Sequence, residues 1–315
     1  MGGVAVDATS TAYGQQSAKL PTIGFLVAGT PASHGVWVKA FAQRLSELGW
    51  TDGRNVKIEY RWAAGDPSQT RTFAAEFVQQ KVDVIVASAY GVEAAKEATS
   101  TIPIVSAAFG DAVTSGLVAS LARPGGNVTG LSIQPSELSS KRLELLREVI
   151  PNLHRLAALV NMRIVRAQEV VAIRTASARL NIDANIIDIK TAEDIESAMA
   201  KLAGNTDALY VFSEPLTNAN KDKIIKVATA AKIPTIFGFR EFVDAGGLIS
   251  YGPNFTDLFV RASEFTDKIL RGANPADLPV QQPVKFDLII NLKAAKALGL
   301  TISETVLTRA DEVIE

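Results

Sequence analysis

Cysteine is missing altogether from this 315-residue chain, which removes disulfides, thiolate nucleophiles and thiolate-bound metals at once. Imidazole is nearly as scarce. His34 and His154 are the only histidines; they stand far apart, neither belongs to an HExxH pattern, and no acidic run has EF-hand spacing, so no metal centre is expected. Neither sign of charge dominates: 32 basic against 33 acidic side chains leave a net charge of −1, without the Lys/Arg cluster that binding to phosphate backbones requires. Nucleic acid is therefore not expected as a partner. No apolar run reaches the roughly 18 residues needed to cross a bilayer, so the chain is not expected to span a membrane.

Catalytic signatures are absent as well. There is no GxxxxGK[ST] loop, and Gly125-Gly126 and Gly246-Gly247 lack the following Lys and hydroxyl that would hold a phosphate. The first strand-loop segment, residues 24–31, contains no GxGxxG, and no GxSxG elbow occurs anywhere. Asp111 and Glu214 could be imagined as an acid/base pair, but they fall in different halves of the chain. Neither a cofactor nor an enzymatic activity is expected.

What remains is an ordinary globular composition, 47% hydrophobic and 21% charged, over a length that suggests about two domains. Strand and helix patterns alternate from Thr22 onward. Residues 22–28 form a nearly continuous apolar run, as expected of a parallel strand covered on both faces. A loop at residues 29–33 then leads to Trp37, Phe41, Leu45 and Leu48 at helical spacing, ended by Gly49. The alternation continues through strands near 56–60, 82–87 and 102–105 and is broken by Arg123-Pro124-Gly125-Gly126-Asn127. Residues 128–132 read as a strand crossing to a second half. There a helix over 138–150 restarts the pattern, with strands at 155–160, 184–189, 207–212, 235–237 and 248–251. A second break at Tyr251-Gly252-Pro253-Asn254 precedes a helix with Phe255, Leu258, Phe259, Ala262, Phe265 and Ile269 on one face. Pro275, Pro279 and Pro283 then space an extended return to residues 286–291.

This pattern predicts an α/β protein of two Rossmann-like lobes with parallel sheets: residues 21–130 plus 253–286 in lobe 1 and 131–252 plus 287–315 in lobe 2. Three connections between the lobes would make a hinge that can close but not slide. Residues 1–20 read as a signal remnant or a disordered tail, since Ala12-Tyr13-Gly14 resembles a small-x-small cleavage site although the charged leading region is missing.

In open α/β sheets ligands gather beyond the carboxyl ends of the strands, where helix N-termini also favour anions. The candidate ligand-binding residues on the first lobe are therefore Thr30, Ser33, Ser88, Tyr90, Gly91, Phe109 and Asp111, and on the second Asn161, Ser213, Glu214, Phe237 and Arg240. Each has a plainer reading: Thr30 and Ser33 as a helix cap, Tyr90 and Phe109 as packing under loops, Arg240 as the partner of Glu241 or Asp244, His34 as a solvated loop residue. Ser88, Tyr90 and the amides near Gly91 would suit a carboxylate, Asp111 or Glu214 an ammonium, and Phe109 with Phe237 an apolar body.

Several stretches in order, residues 48–56, 121–132, 246–252, 291–300 and 309–315, resemble the ABC transporter substrate-binding family that includes tryptophan/tyrosine-type binding proteins. The resemblance spans about residues 20–315. It implies the type I periplasmic binding-protein fold, with a three-crossover hinge, capture of a small organic solute by lobe closure, and delivery to an ABC permease and its ATPase. It implies an exported, periplasmic protein too. The chain departs from the family pattern at Asp111-Ala112-Val113, where Asp-Pro-Val is usual, at Asn161-Met162-Arg163, and at Ser88-Ala89-Tyr90-Gly91, where Gly-Thr is usual. These are crevice loops, which leaves the ligand open between an amino acid and an aromatic acid. A ligand-sensing regulatory domain of the same fold is the alternative, though residues 1–20 have no pattern for a helix-turn-helix.

Overall fold

A computed structural model describes residues 19–315, apart from residues 134, 164 and 166. The signal reading of residues 1–20 therefore lies almost wholly outside the described residues. The first half builds β1 (Thr22–Val27), α1 (Pro31–Glu47), β2 (Lys57–Trp62), α2 (Pro67–Gln80), β3 (Val84–Ser88), α3 (Tyr90–Ala98), β4 (Ile104–Phe109) and β5 (Val128–Ser132). These strands make a five-stranded parallel sheet in the order β2-β1-β3-β4-β5. Every residue of β3, β4 and β5 is buried, which is why they read as apolar runs rather than alternating ones.

The second half follows with α4 (Pro135–Val149), β6 (Arg155–Val160), α5 (Ala167–Arg179), β7 (Asp183–Asp188), α6 (Ala192–Leu202), β8 (Ala208–Val211), α7 (Pro215–Ala219), α8 (Lys221–Ala230), β9 (Thr235–Phe237), α9 (Arg240–Asp244) and β10 (Ile249–Pro253). Next come α10 (Phe255–Leu270), β11 (Phe286–Asn291), α11 (Leu292–Leu298), α12 (Glu304–Leu307) and β12 (Glu312–Ile314). The second sheet has seven strands in the order β12-β11-β10-β9-β8-β6-β7. All its pairings are parallel except β10 with β11. The parallel sheets expected of two Rossmann-like lobes are thus present, with this one antiparallel pair added. The chain enters β11 from the hinge beside the strand that has just left through it, so the two run in opposite directions.

Each sheet carries helices on both faces. On the first, Trp37, Phe41 and Leu45 of α1 and Phe259 and Phe265 of α10 cover one side, while Phe77 of α2 and Val92 of α3 cover the other. Phe25 of β1 is the focus of the former cluster, edge-on to Phe41 at 4.8 Å and stacked on Phe259 at 6.1 Å. Thus α10, although it follows the second sheet in sequence, packs on the first. The second sheet is covered by α4 and α5 on one face and by α6, α8 and α9 on the other.

Three segments join the sheets: the one after β5, the one from β10 to α10, and residues 281–286. The third is bonded to both others. Gln281 N donates to Gly130 O at 2.8 Å and Ser132 N to Gln281 O at 2.9 Å; four residues later Asn254 N donates to Lys285 O at 3.0 Å, and beyond it Gly252 pairs with Asp287. Polar side chains fasten the same region, with Lys285 Nζ 2.8 Å from Asp257 Oδ1 and Asn254 Nδ2 3.0 Å from Asp287 Oδ2.

Candidate functional site

Both sheets repeat one winding pattern, and in each the strand order reverses at a switch point: between β1 and β3 in the first, between β6 and β8 in the second. Loops leaving the carboxyl ends of strands at such a point diverge and leave a crevice. Here the loops after β1, β3 and β4 face those after β6 and β8 across a cleft of about 520 Å³, within the usual range of small-molecule sites.

Of the residues the sequence singles out, Thr30, Ser33, Ser88, Tyr90, Phe109, Ser213 and Glu214 line this cleft. Thr30 and Ser33 bond to each other: Ser33 N donates to Thr30 Oγ1 at 3.2 Å and Thr30 N to Ser33 Oγ at 3.0 Å, a capping box that starts α1. Tyr90 donates its hydroxyl to Ala28 O at 3.1 Å, and burial pushes its phenol up to about 12. Glu214 caps α7, its carboxylate accepting from Leu216 N at 2.9 Å and Thr217 N at 2.8 Å. Burial holds its pKa above the ordinary range against these bonds.

Ser88 behaves differently. It is 4% exposed and its Oγ has no hydrogen-bond partner among the described residues, an arrangement that costs free energy unless something else supplies a partner. The neighbouring Ala89 is held at φ 48°, and α3 begins there without any side-chain cap. Orphan N–H groups of the first helical turn and an orphan hydroxyl therefore stand together at one wall.

The remaining candidates lie outside the cleft lining. Gly91 faces inward onto Leu26. Asp111 accepts from Val113 N and Thr114 N, closing a turn instead of starting a helix. Asn161 sits at the switch point after β6, but its Oδ1 accepts from Arg163 N within its own loop. Phe237 is fully buried and stacked on Phe242 at 4.4 Å. Arg240 forks onto Glu312 at 2.5 and 2.7 Å and also reaches Asp244; it borders a separate hollow of about 370 Å³.

Helix-borne residues complete the cleft. An aromatic file runs along it: Phe239 of the second half is edge-on to Phe255 at 4.7 Å, Phe255 stacks on Trp37 at 4.7 Å, and Trp37 meets the His34 ring edge-on at 4.6 Å. Trp37, Phe255 and Phe259 carry a helical core period in the sequence, and nothing in that period says which part of the stripe turns to the cleft. Arg142 of α4 was more legible. It occupies the apolar stripe of Leu138, Leu145 and Val149, where a charge is out of place.

His34 donates or accepts one hydrogen bond, between its Nδ1 and Ser33 Oγ at 2.8 Å. Burial lowers its pKa to about 4 from an ordinary value near 6.5. Between those two values the unfolded chain binds more protons than the folded one, so stability falls as pH drops through that window. The melting temperature of the wild type is expected to fall more steeply between pH 7 and 5 than that of His34→Gln. Equal slopes in a thermal scan would refute the assignment.

Comparison with known proteins agrees with this architecture. The profile of the family described as ABC transporter substrate binding protein matches residues 31–314. A tyrosine-binding protein of Clostridioides difficile is 33% identical over 264 residues, covering 83% of this chain and 76% of the relative. Among solved structures, the ABC domain of Streptococcus pneumonia in complex with L-Trp superposes with a TM-score of 0.86 at 27% identity, covering 94% of this chain and 100% of that one. A ligand-free, open substrate-binding protein of Clostridium difficile, at 28% identity and covering 94% and 99%, gives 0.72. The chain belongs to the ABC transporter substrate-binding protein family and has the two-lobe type I periplasmic binding-protein fold. Members of the family are solute-binding proteins rather than enzymes. No helix among the described residues is long and apolar enough to cross a membrane.

Proposed function

We propose that this protein is the exported solute-binding component of an ABC importer, capturing an amino-acid-like or aromatic acid solute between its lobes and releasing it unchanged to a membrane permease driven by its ATPase. The observation that carries this reading is the cleft itself: an orphan polar corner at Ser88 and α3 faces an aromatic file formed by His34, Trp37, Phe239 and Phe255. A polar head and an apolar body are the two halves of such a solute. The named specificities of the relatives, tyrosine and L-Trp, support the same class. Residues 21–130 with 253–286 and residues 131–252 with 287–315 act as the two moving bodies, and the triple connection confines them to opening and closing. Periplasmic location follows from the role.

Calorimetry and thermal shift against tyrosine, tryptophan, phenylalanine and the corresponding aryl acids test the reading. Stabilisation by at least one of them is expected, since a ligand at a hundred times its Kd adds about 2.7 kcal/mol. No response to any amino acid, aromatic acid, nucleoside or sugar would refute it. Ser88→Ala sharpens the test. It deletes a desolvated hydroxyl that has no partner among the described residues, so the free protein is expected to be as stable as the wild type or up to about 1 kcal/mol more so, whereas the solute binds about tenfold more weakly. Lowered stability with unchanged affinity would make Ser88 a packing residue only.

A further inference from the structure

Arg142 is the feature of the cleft that capping and packing leave unexplained. It is 8% exposed, and a guanidinium stays charged wherever it is placed. Its Nε donates to Tyr251 O at 2.7 Å and its Nη1 to the Tyr210 hydroxyl at 2.9 Å. Both acceptors are neutral. No carboxylate of a described residue pairs with it, although Glu93, Glu169 and Glu214 line the same cleft; the Glu214 carboxylate is taken up by backbone N–H groups of α7. The Nη2 group has no acceptor among the described residues.

Beside it stands a second unassigned donor. Ser213 Oγ accepts from Gly238 N at 3.1 Å, which leaves its hydroxyl proton without an acceptor among the described residues. Arg142 Nη2 and Ser213 Oγ both stand close against Gly238, so close that a Cβ there would lie 2.8 and 2.9 Å from them, and both residues line the cleft. Two donors thus stand side by side at one wall of the cleft, room for both being left by the missing side chain of Gly238. Burying a charge without a counter-charge is costly, and a permanent protein carboxylate would cancel it if the arginine served the fold alone.

We infer that Arg142 and Ser213 form the anion anchor of the second lobe, and that the captured solute must carry an acidic group to occupy it. The inference rests on the solute-capture reading and narrows it: acids are selected, and their neutral amides are refused. Ser88 approaches from the first lobe, so the acidic group has its full set of donors only when the lobes are shut. Specificity of this kind comes from leaving a buried donor unpaired when the wrong solute binds.

Isothermal titration of wild type, Arg142→Gln, Arg142→Lys and Ser213→Ala with L-tyrosine, L-tryptophan and their carboxamides tests it. Wild type is expected to prefer each acid over its amide by about 100-fold, as befits charge-assisted hydrogen bonds. Arg142→Gln should lose about that factor for the acid and leave the amide nearly unchanged, so the preference collapses; Ser213→Ala should lose about tenfold for the acid. If Arg142→Gln does not fold, Arg142→Lys carries the test. It keeps the charge but not the fork, and is expected to lose about tenfold for the acid alone. A variant with a lowered melting temperature and an intact acid/amide ratio would overturn the anchor. Binding of neutral solutes only would overturn the anchor and leave solute capture standing, whereas binding of nothing would overturn both.

Discussion

Gly130→Ala is expected to cost at least about 4 kcal/mol, enough to unfold the first lobe or keep the protein from accumulating. Gly130 sits in β5 at φ 116°, which a side chain adopts only under strain. A Cβ there would lie 2.2 Å from the carbonyl oxygen and 2.7 Å from the amide nitrogen of Ser106 in the paired strand β4. Both obstacles are backbone, so relief requires the strands to part. Parting them breaks the bond from Ser106 Oγ to Leu131 O at 2.8 Å and the bond Gly130 O accepts from Gln281 N. Gly116→Ala is the control: its φ is 74°, and nothing lies within 4 Å of the added carbon. Strain alone should cost it about 1 kcal/mol. Urea denaturation followed by tryptophan fluorescence measures both, and similar midpoints for the two variants would refute the steric argument.

Trp37→Ala is expected to lose about 3–5 kcal/mol, typical of emptying a large aromatic site, together with the solute-dependent part of the fluorescence. Trp37 is 9% exposed and touches Phe255, Phe259 and His34 at ring separations of 4.7, 5.7 and 4.6 Å. It holds the start of α10 against α1 and at the same time walls the cleft. The other tryptophans lie elsewhere: Trp50 Nε1 donates to Asp267 at 2.8 Å and Trp62 ends β2 beside Tyr60. Trp37→Phe should keep most of the stability while abolishing the fluorescence response. A response that survives in Trp37→Phe would place its source away from the cleft.

The two-lobe α/β architecture was legible because its central strands are buried on both faces and so appear as unbroken apolar runs, such as residues 22–28 and 155–160. The rule that loops beyond strand ends face the ligand brought Ser88, Tyr90, Ser213 and Glu214 to the cleft wall. It failed to separate side chains that turn back into their own lobe. Phe237 leaves its strand toward Phe242, and Asp111 bends to cap its own turn; a loop's position does not fix where its side chains point. Helix residues posed the opposite difficulty. Trp37 and Phe255 satisfy a core period whether they meet the sheet or the cleft, and only the packing of α10 on α1 decides it. Short, half-exposed β12 and α12 have too little apolar pattern to announce themselves.

The third connecting segment, bonded to the first at Gln281 and to the second at Lys285, fixes the lengths of all three together. Adding or removing one residue between those points would turn its alternate side chains over and slip it against both neighbours at once. Change in this protein is therefore free to accumulate at the rims of the cleft, where solutes are told apart, while the spine between the lobes must keep its count.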